Sequence, residues 1–166
     1  MSTDVQFVKL PAFRVASALG FGEQPETIAW RKIISWMRAQ ALLDDLKERR
    51  FFGFNNPNPS PGSPNYGYEQ WVTIPENVRA EEGIKIFDFP GGYFATLACE
   101  LLHIGEKWGE LVNWQAGSNY RMAQNQCLEE CLTPEVFINA PEDLQFTLEN
   151  VGKVKMKIYL PLIEPW

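Results

Sequence analysis

Phe89-Pro90-Gly91-Gly92-Tyr93-Phe94-Ala95-Thr96-Leu97, followed by Ile104, Trp108, Leu111, Val112 and Trp114, repeats a pattern that the chain has already written once. The earlier version is Leu10-Pro11-Ala12-Phe13-Arg14-Val15-Ala16-Ser17-Ala18, then Trp30, Ile33, Ile34 and Trp36. Pro11 and Pro90, like Ala16 and Ala95, lie 79 residues apart; Trp30 and Trp108, like Trp36 and Trp114, lie 78 apart. Each copy reads as an apolar strand broken at a proline, a connection, and a helix carrying two tryptophans. A period near 79 exceeds the ~20 to 50 residues of solenoid and propeller units. The pattern therefore predicts an α+β domain of duplicated β-α-β-β halves with pseudo-two-fold symmetry. Antiparallel sheets and two main helices would leave a central cleft at the seam, where small-molecule sites tend to form.

Length and composition agree with one folded domain. At 166 residues the chain suffices for a single core, and with 13% aromatic and 22% charged residues it does not have the composition of a disordered chain. Half one is expected over about 5–75 and half two over about 84–163. A net charge of −6 and scattered basic residues argue against direct nucleic-acid binding, because phosphates would be repelled. No run approaches the ~18 apolar residues of a membrane span, and the first residues lack the basic start and apolar run of a secretion signal. Three cysteines, an odd set, fit a reducing cytoplasm. Cys127, Cys131 and the single histidine, His103, match no zinc spacing, so neither a metal nor a cofactor is expected.

Along the chain, residues 5–10 and 13–19 read as one strand interrupted at Pro11, which cannot donate to a ladder. Helix one is expected from Pro25, suited to a first turn, to about residue 46. Its apolar stripe is Trp30, Ile33, Ile34, Met37 and Ala41, with Arg31, Arg38 and Asp45 facing water. Strands follow at 51–54 and 66–74, joined through residues 55–65, a connection of Asn, Pro, Ser and Gly that reads as a lid or a mobile turn. Half two repeats the plan with a broken strand at 84–89 and 93–101, where Gly91 and Gly92 permit unusual backbone angles. A helix is expected from about 103 to 115, with the stripe Ile104, Trp108, Leu111 and Val112, and strands over 125–132 and 154–162. In the last strand Val154, Met156, Ile158, Leu160 and Leu162 alternate with Lys155, Lys157, Tyr159 and Pro161, so that one face packs on the core.

The candidate chemistry lies in Cys127-Leu128-Glu129-Glu130-Cys131-Leu132. Alternation puts Glu129 on one strand face and Glu130 on the other, so whichever face turns inward takes a glutamate with it. A buried carboxylate is disfavoured when charged unless a cation or hydrogen-bond donors meet it, and its pKa rises when the site is empty. Among Trp and Tyr it is a receptor for a lipophilic cation, through charge pairing and cation–π contact. An edge strand with both glutamates partly solvated is the alternative. Glu69, in Tyr66-Gly-Tyr68-Glu69-Gln70-Trp71, is a second acidic candidate; by alternation it shares a face with Trp71, and Tyr68 takes the other.

Taken in order, these motifs resemble the GyrI-like family, the bacterial effector-binding domain of AraC- and MerR-type transcription regulators. The resemblance rests on Leu10-Pro11, the Pro/Gly loop into Tyr68-Glu69-Gln70-Trp71, Phe89-Pro90-Gly91-Gly92-Tyr93, the Trp108 and Trp114 helix, Leu128-Glu129-Glu130 and Ile158-Tyr159-Leu160-Pro161. It implies a small-molecule pocket at the seam. In multidrug-sensing relatives a glutamate followed two residues later by an aromatic meets cationic drugs, and the matching positions here are Glu129 and Cys131, the cysteine departing from the usual aromatic. With its first strand expected at about residue 5, the chain resembles the stand-alone members that have no DNA-binding domain. For these the resemblance implies a binder of a flat, apolar drug or toxin, cationic or neutral. Alternatives are a hydrolase opening the cyclopropane ring of DNA-alkylating genotoxins, with Glu129 and Glu69 moving protons, or a gyrase-interacting module. The expected ligand-binding residues are Glu129, Glu69, Tyr68, Trp71, Trp108 and Tyr93. Exposed strand edges leave pairing into a homodimer open.

Overall fold

The computed structural model describes residues 4–140 and 152–164. Eight strands form one antiparallel sheet: β1 (Gln6–Leu10), β2 (Phe13–Gly22), β3 (Phe51–Asn55), β4 (Tyr66–Thr73), β5 (Ile84–Phe89), β6 (Gly92–Glu100), β7 (Leu128–Cys131) and β8 (Lys155–Leu162). Among the described residues two main helices, α1 (Pro25–Ala39) and α2 (Ile104–Ala116), and a short α3 (Glu135–Ile138) accompany the sheet in an α+β architecture. The strand order is β1-β6-β8-β7-β3-β4-β2-β5. Exchanging β1–β4 for β5–β8 gives the same order read from the other end. The midline of the sheet is the β7–β3 pair, where Glu129 stands opposite Gly53 and Cys131 opposite Phe51.

The proline breaks do more than bend a strand. Residues 5–19 are expected as one strand with a bulge, yet β1 pairs with β6 at one end of the sheet while β2 pairs with β4 and β5 at the other. Pro11 lacks the N–H that would continue the ladder, and the chain crosses there from one edge to the other. Residues 90–91 make the reciprocal crossing between β5 and β6. The two crossings touch, because a Cβ on Gly91 (φ +78°) would overlap the Leu10 carbonyl. This contact brings the two ends of the sheet together and curls it.

The curl explains why both faces are buried. One face carries α1 over Ala16, Ala18, Phe51 and Val72, and α2 over Ala95, Leu97, Ile158 and Leu160. On the other face the sheet closes on its own aromatic cluster, with Phe52, Phe54, Trp71, Phe89, Phe94 and Tyr159. Tyr159, expected on the outward side of the last strand, is therefore buried with Ile158 and Leu160.

The helices differ from expectation in two places. Helix α1 stops at Ala39 rather than near residue 46: Ala41 takes a positive φ of 56°, the Leu42 amide donates to the Met37 carbonyl, and Leu42 is buried while Ala41 is exposed. Turning the chain buries a leucine where a continued helix would bury an alanine, and the larger apolar area decides it. Helix α2 lies loosely on the sheet; of its stripe only Leu111 is fully buried, and Val112 is exposed.

Candidate functional site

Between α1 and the start of α2, over the middle of the sheet, lies a cavity of about 380 Å³. Its walls are Glu23 and Gln24 just before α1, Glu26 and Trp30 on its first turns, Asn55 from β3, Tyr66, Tyr68 and Gln70 from β4, Glu129 and Cys131 from β7, Phe137 from α3, Met156 from β8, and Leu101 and Ile104 leading into α2. Three carboxylates and no lysine or arginine stand among these described residues.

Glu129 is the best-held of them. Trp108 Nε1 donates to its Oε2 at 2.7 Å, and the Tyr68 hydroxyl donates to its Oε1 at 3.0 Å. Tyr68 reaches it because Gly53 lies between them in the sheet. Strand pairing sets Gly53 beside both Gln70 and Glu129, and a Cβ at Gly53 would overlap the Tyr68 phenol ring. Burial pushes the Glu129 carboxyl above the usual carboxylate range; the bonds from Trp108 and Tyr68 oppose the rise, and the nearby Glu26 charge adds to it. Burial, and after it the Glu129 charge, holds the Tyr68 hydroxyl well above an ordinary phenol.

The neighbouring glutamate has a separate role. Glu130 points to the opposite face, where Arg50 Nε and Nη2 donate to its two oxygens at 2.8 and 3.0 Å and the Tyr159 hydroxyl donates at 2.6 Å. The alternation of β7 thus sends Glu129 into the cavity and Glu130 into an ion pair.

The expected residues divide accordingly. Glu129 and Tyr68 line the cavity, and Trp108 stands behind Glu129. Glu69 does not join them: it accepts from Ser17 Oγ at 2.6 Å, Trp71 Nε1 at 3.0 Å and Asn56 Nδ2 at 3.1 Å on the opposite face. Trp71 shares that face, packed edge-on against Phe54 and Phe87. The parity of β4 separates them, since Tyr68 and Gln70 turn toward Glu129 and Glu69 and Trp71 turn away. Tyr93 lies near the β1 edge, against Phe7, its hydroxyl donating to Glu164 at 2.9 Å.

Sequence reasoning missed Glu26, Trp30 and Tyr66 as cavity residues. The signals were present. Glu26 precedes Trp30 by one turn on the apolar stripe of α1, an acidic residue where a core residue is expected, and Tyr66 shares its strand face with Tyr68. The Tyr66 hydroxyl donates to Glu26 Oε1 at 2.5 Å, and burial followed by the Glu26 bond raises the Tyr66 pKa. Trp30 stacks on Phe137 at 4.3 Å and forms the apolar wall. The Cys131 thiol, pushed up to about 12 by burial, is no nucleophile near neutrality. Among the described residues no group of three or more His, Cys, Asp or Glu is placed to hold a metal, and no helix is long and apolar enough to cross a membrane.

Known proteins resemble this arrangement in fold. The chain matches 99% of the C-terminal domain of EcmrR, itself covered to 99%, with a TM-score of 0.67 and 13% identity. It spans 57% of the EcmrR chain seen in its DNA complex, with a TM-score of 0.66 and 11% identity over 97% of this chain. A hydrolase from Listeria innocua superposes with a TM-score of 0.58 at 11% identity, over 96% of this chain and 91% of that one. SAV2435, in a structure bound to tetraphenylphosphonium, superposes with a TM-score of 0.50 at 11% identity, over 97% of this chain and 94% of that one. No significant match is found among curated protein sequences. The family model of the integron-associated effector-binding proteins, Cass2, matches residues 6–162. An effector-binding fold whose central strand carries a carboxylate into an aromatic cavity is in keeping with that match, and the chain belongs to the Cass2 family of effector-binding proteins.

Proposed function

We propose that the cavity binds an apolar, aromatic, cationic organic compound, with Glu129 as the group that reads its charge. The observation that carries this reading is a carboxylate held by Trp108 and Tyr68 at the wall of an aromatic cavity that, among the described residues, no lysine or arginine lines. Without a ligand its charge is poorly solvated; a lipophilic cation entering the cavity supplies the missing counter-charge. The rings of Tyr66, Tyr68 and Phe137 border the cavity, each cation–π contact contributing about 0.5–2 kcal/mol depending on desolvation. A neutral compound of the same shape would gain the apolar contact alone. The binding of tetraphenylphosphonium by SAV2435 supports the reading by likeness of fold.

Tryptophan fluorescence tests it. Trp30 and Trp108 flank the cavity, so tetraphenylphosphonium should quench the emission of the wild type. Its affinity should fall at least tenfold, about 1.4 kcal/mol, in Glu129→Gln. Equal affinity in the two proteins would remove Glu129 from recognition.

One feature favours a second reading, a hydrolase. A carboxyl with a raised pKa beside a bound electrophile is suited to exchange a proton with it and with water as a strained ring opens. A cyclopropane-containing alkylating agent held with substoichiometric protein would then be consumed many times over, and at most once by a binder.

A further inference from the structure

We infer that Glu26 is a second charge-reading group and that the cavity selects compounds carrying two positive centres over those carrying one. The inference rests on the proposed reading of Glu129 and extends it to the ligand's second end. Nothing in the bonding of Glu129 requires a second carboxylate, yet the cavity has one on a different element, held in the same way. Tyr68 donates to Glu129 and Tyr66 donates to Glu26. These tyrosines are successive same-face residues of β4, and such positions stand roughly 7 Å apart along a strand. Two same-face tyrosines one pleat repeat apart thus each anchor a carboxylate, one on the central strand and one on the first turn of α1.

The charge balance is one-sided. Glu26 and Glu129 repel each other, and this repulsion contributes to the raised pKa of Glu129. Glu23 adds a third carboxylate to the same lining. Among the described lining residues no side chain is positive, and the N-terminus of α1, equivalent to roughly half a charge, matches Glu26 in its first turn only in part. A single cation at Glu129 leaves most of the Glu26 charge without a counter-charge. A second ammonium or guanidinium centre on the same ligand meets Glu26, with the aromatic walls covering the flat body between.

Ethidium and propidium share one phenanthridinium ring system, and propidium carries an additional quaternary ammonium on a propyl arm. Fluorescence titration of both against the wild type should show propidium binding at least tenfold tighter. Glu26→Gln should narrow that ratio to within about twofold, while Glu129→Gln should weaken both dyes. Should Glu26→Gln fail to fold, Tyr66→Phe carries the test, since losing the bond that orients Glu26 should reduce the ratio several-fold. Ethidium binding with no preference for propidium, or an unchanged ratio in the Glu26 and Tyr66 variants, would overturn the second anchor and leave the Glu129 reading intact. Binding of neither dye would overturn both.

Discussion

Trp108 Nε1 lies 2.7 Å from Oε2 of Glu129, so the second tryptophan helix and the central strand meet at a single carboxylate. The bond holds the charge and gives α2, otherwise loosely packed, a fixed point over the sheet. Trp108→Phe keeps the ring and removes the donor. A hydrogen bond to a charged group contributes about 1.5–3 kcal/mol, so affinity for tetraphenylphosphonium near pH 7 should fall roughly tenfold. Calorimetric titration measures this, and unchanged affinity would show that the bond does not support the charge.

The raised pKa of Glu129 makes the stability of the empty protein depend on pH. The native state holds this proton more tightly than the unfolded chain does. Its contribution is therefore fully present below the unfolded glutamate value of about 4.3 and is lost as pH rises through the raised value. Glu129→Gln removes the dependence while keeping an acceptor oxygen for Trp108, and its amide N–H can donate to the Tyr68 hydroxyl. Thermal unfolding from pH 4 to 8 should show the variant gaining on the wild type as pH rises; a gap independent of pH would contradict the assignment.

Gly53 is predicted to accept no side chain. In Gly53→Ala the new methyl meets the Tyr68 ring, which is enclosed by the sheet and α1. Overpacking of this kind costs about 1–3 kcal/mol, and the displaced phenol would also lose its bond to Glu129. Urea denaturation should report the first effect and weaker tetraphenylphosphonium binding the second.

On the opposite face the Arg50–Glu130 pair, with Tyr159, ties β3, β7 and β8 across the midline of the sheet. Glu130 is only 7% exposed and Arg50 38%. Arg50→Met leaves a buried carboxylate with one neutral donor, and chemical denaturation should show a loss of about 3 kcal/mol. The double variant Arg50→Met/Glu130→Gln should recover much of it, since no buried charge then remains.

How much of this was legible in the sequence depends on range. The repeated Pro and Trp positions pointed to the α+β strand and helix plan because they are local patterns that recur. The crossing at Pro11 was not legible: a proline shows that a ladder ends, and only the paired strands show that the chain moves to the other edge. Alternation along β7 told Glu129 from Glu130, while choosing the inward one required Arg50 and Tyr159 to be seen meeting Glu130. Glu69 and Trp71 were expected in the cavity although the parity of β4 already set them on the opposite face from Tyr68. Glu26 was overlooked because an acidic residue in a first helical turn has an ordinary explanation in the helix dipole.

The central claim is that the Glu129 charge is what the cavity offers a ligand. The most direct test is the dissociation constant of tetraphenylphosphonium as a function of pH for the wild type and Glu129→Gln, since this cation has no titrating group of its own. Affinity for the wild type should rise with pH through the raised carboxyl pKa and then level off, while the variant should bind weakly with a flat profile. A flat profile in the wild type, or the same rise in both proteins, would show that another group reads the charge.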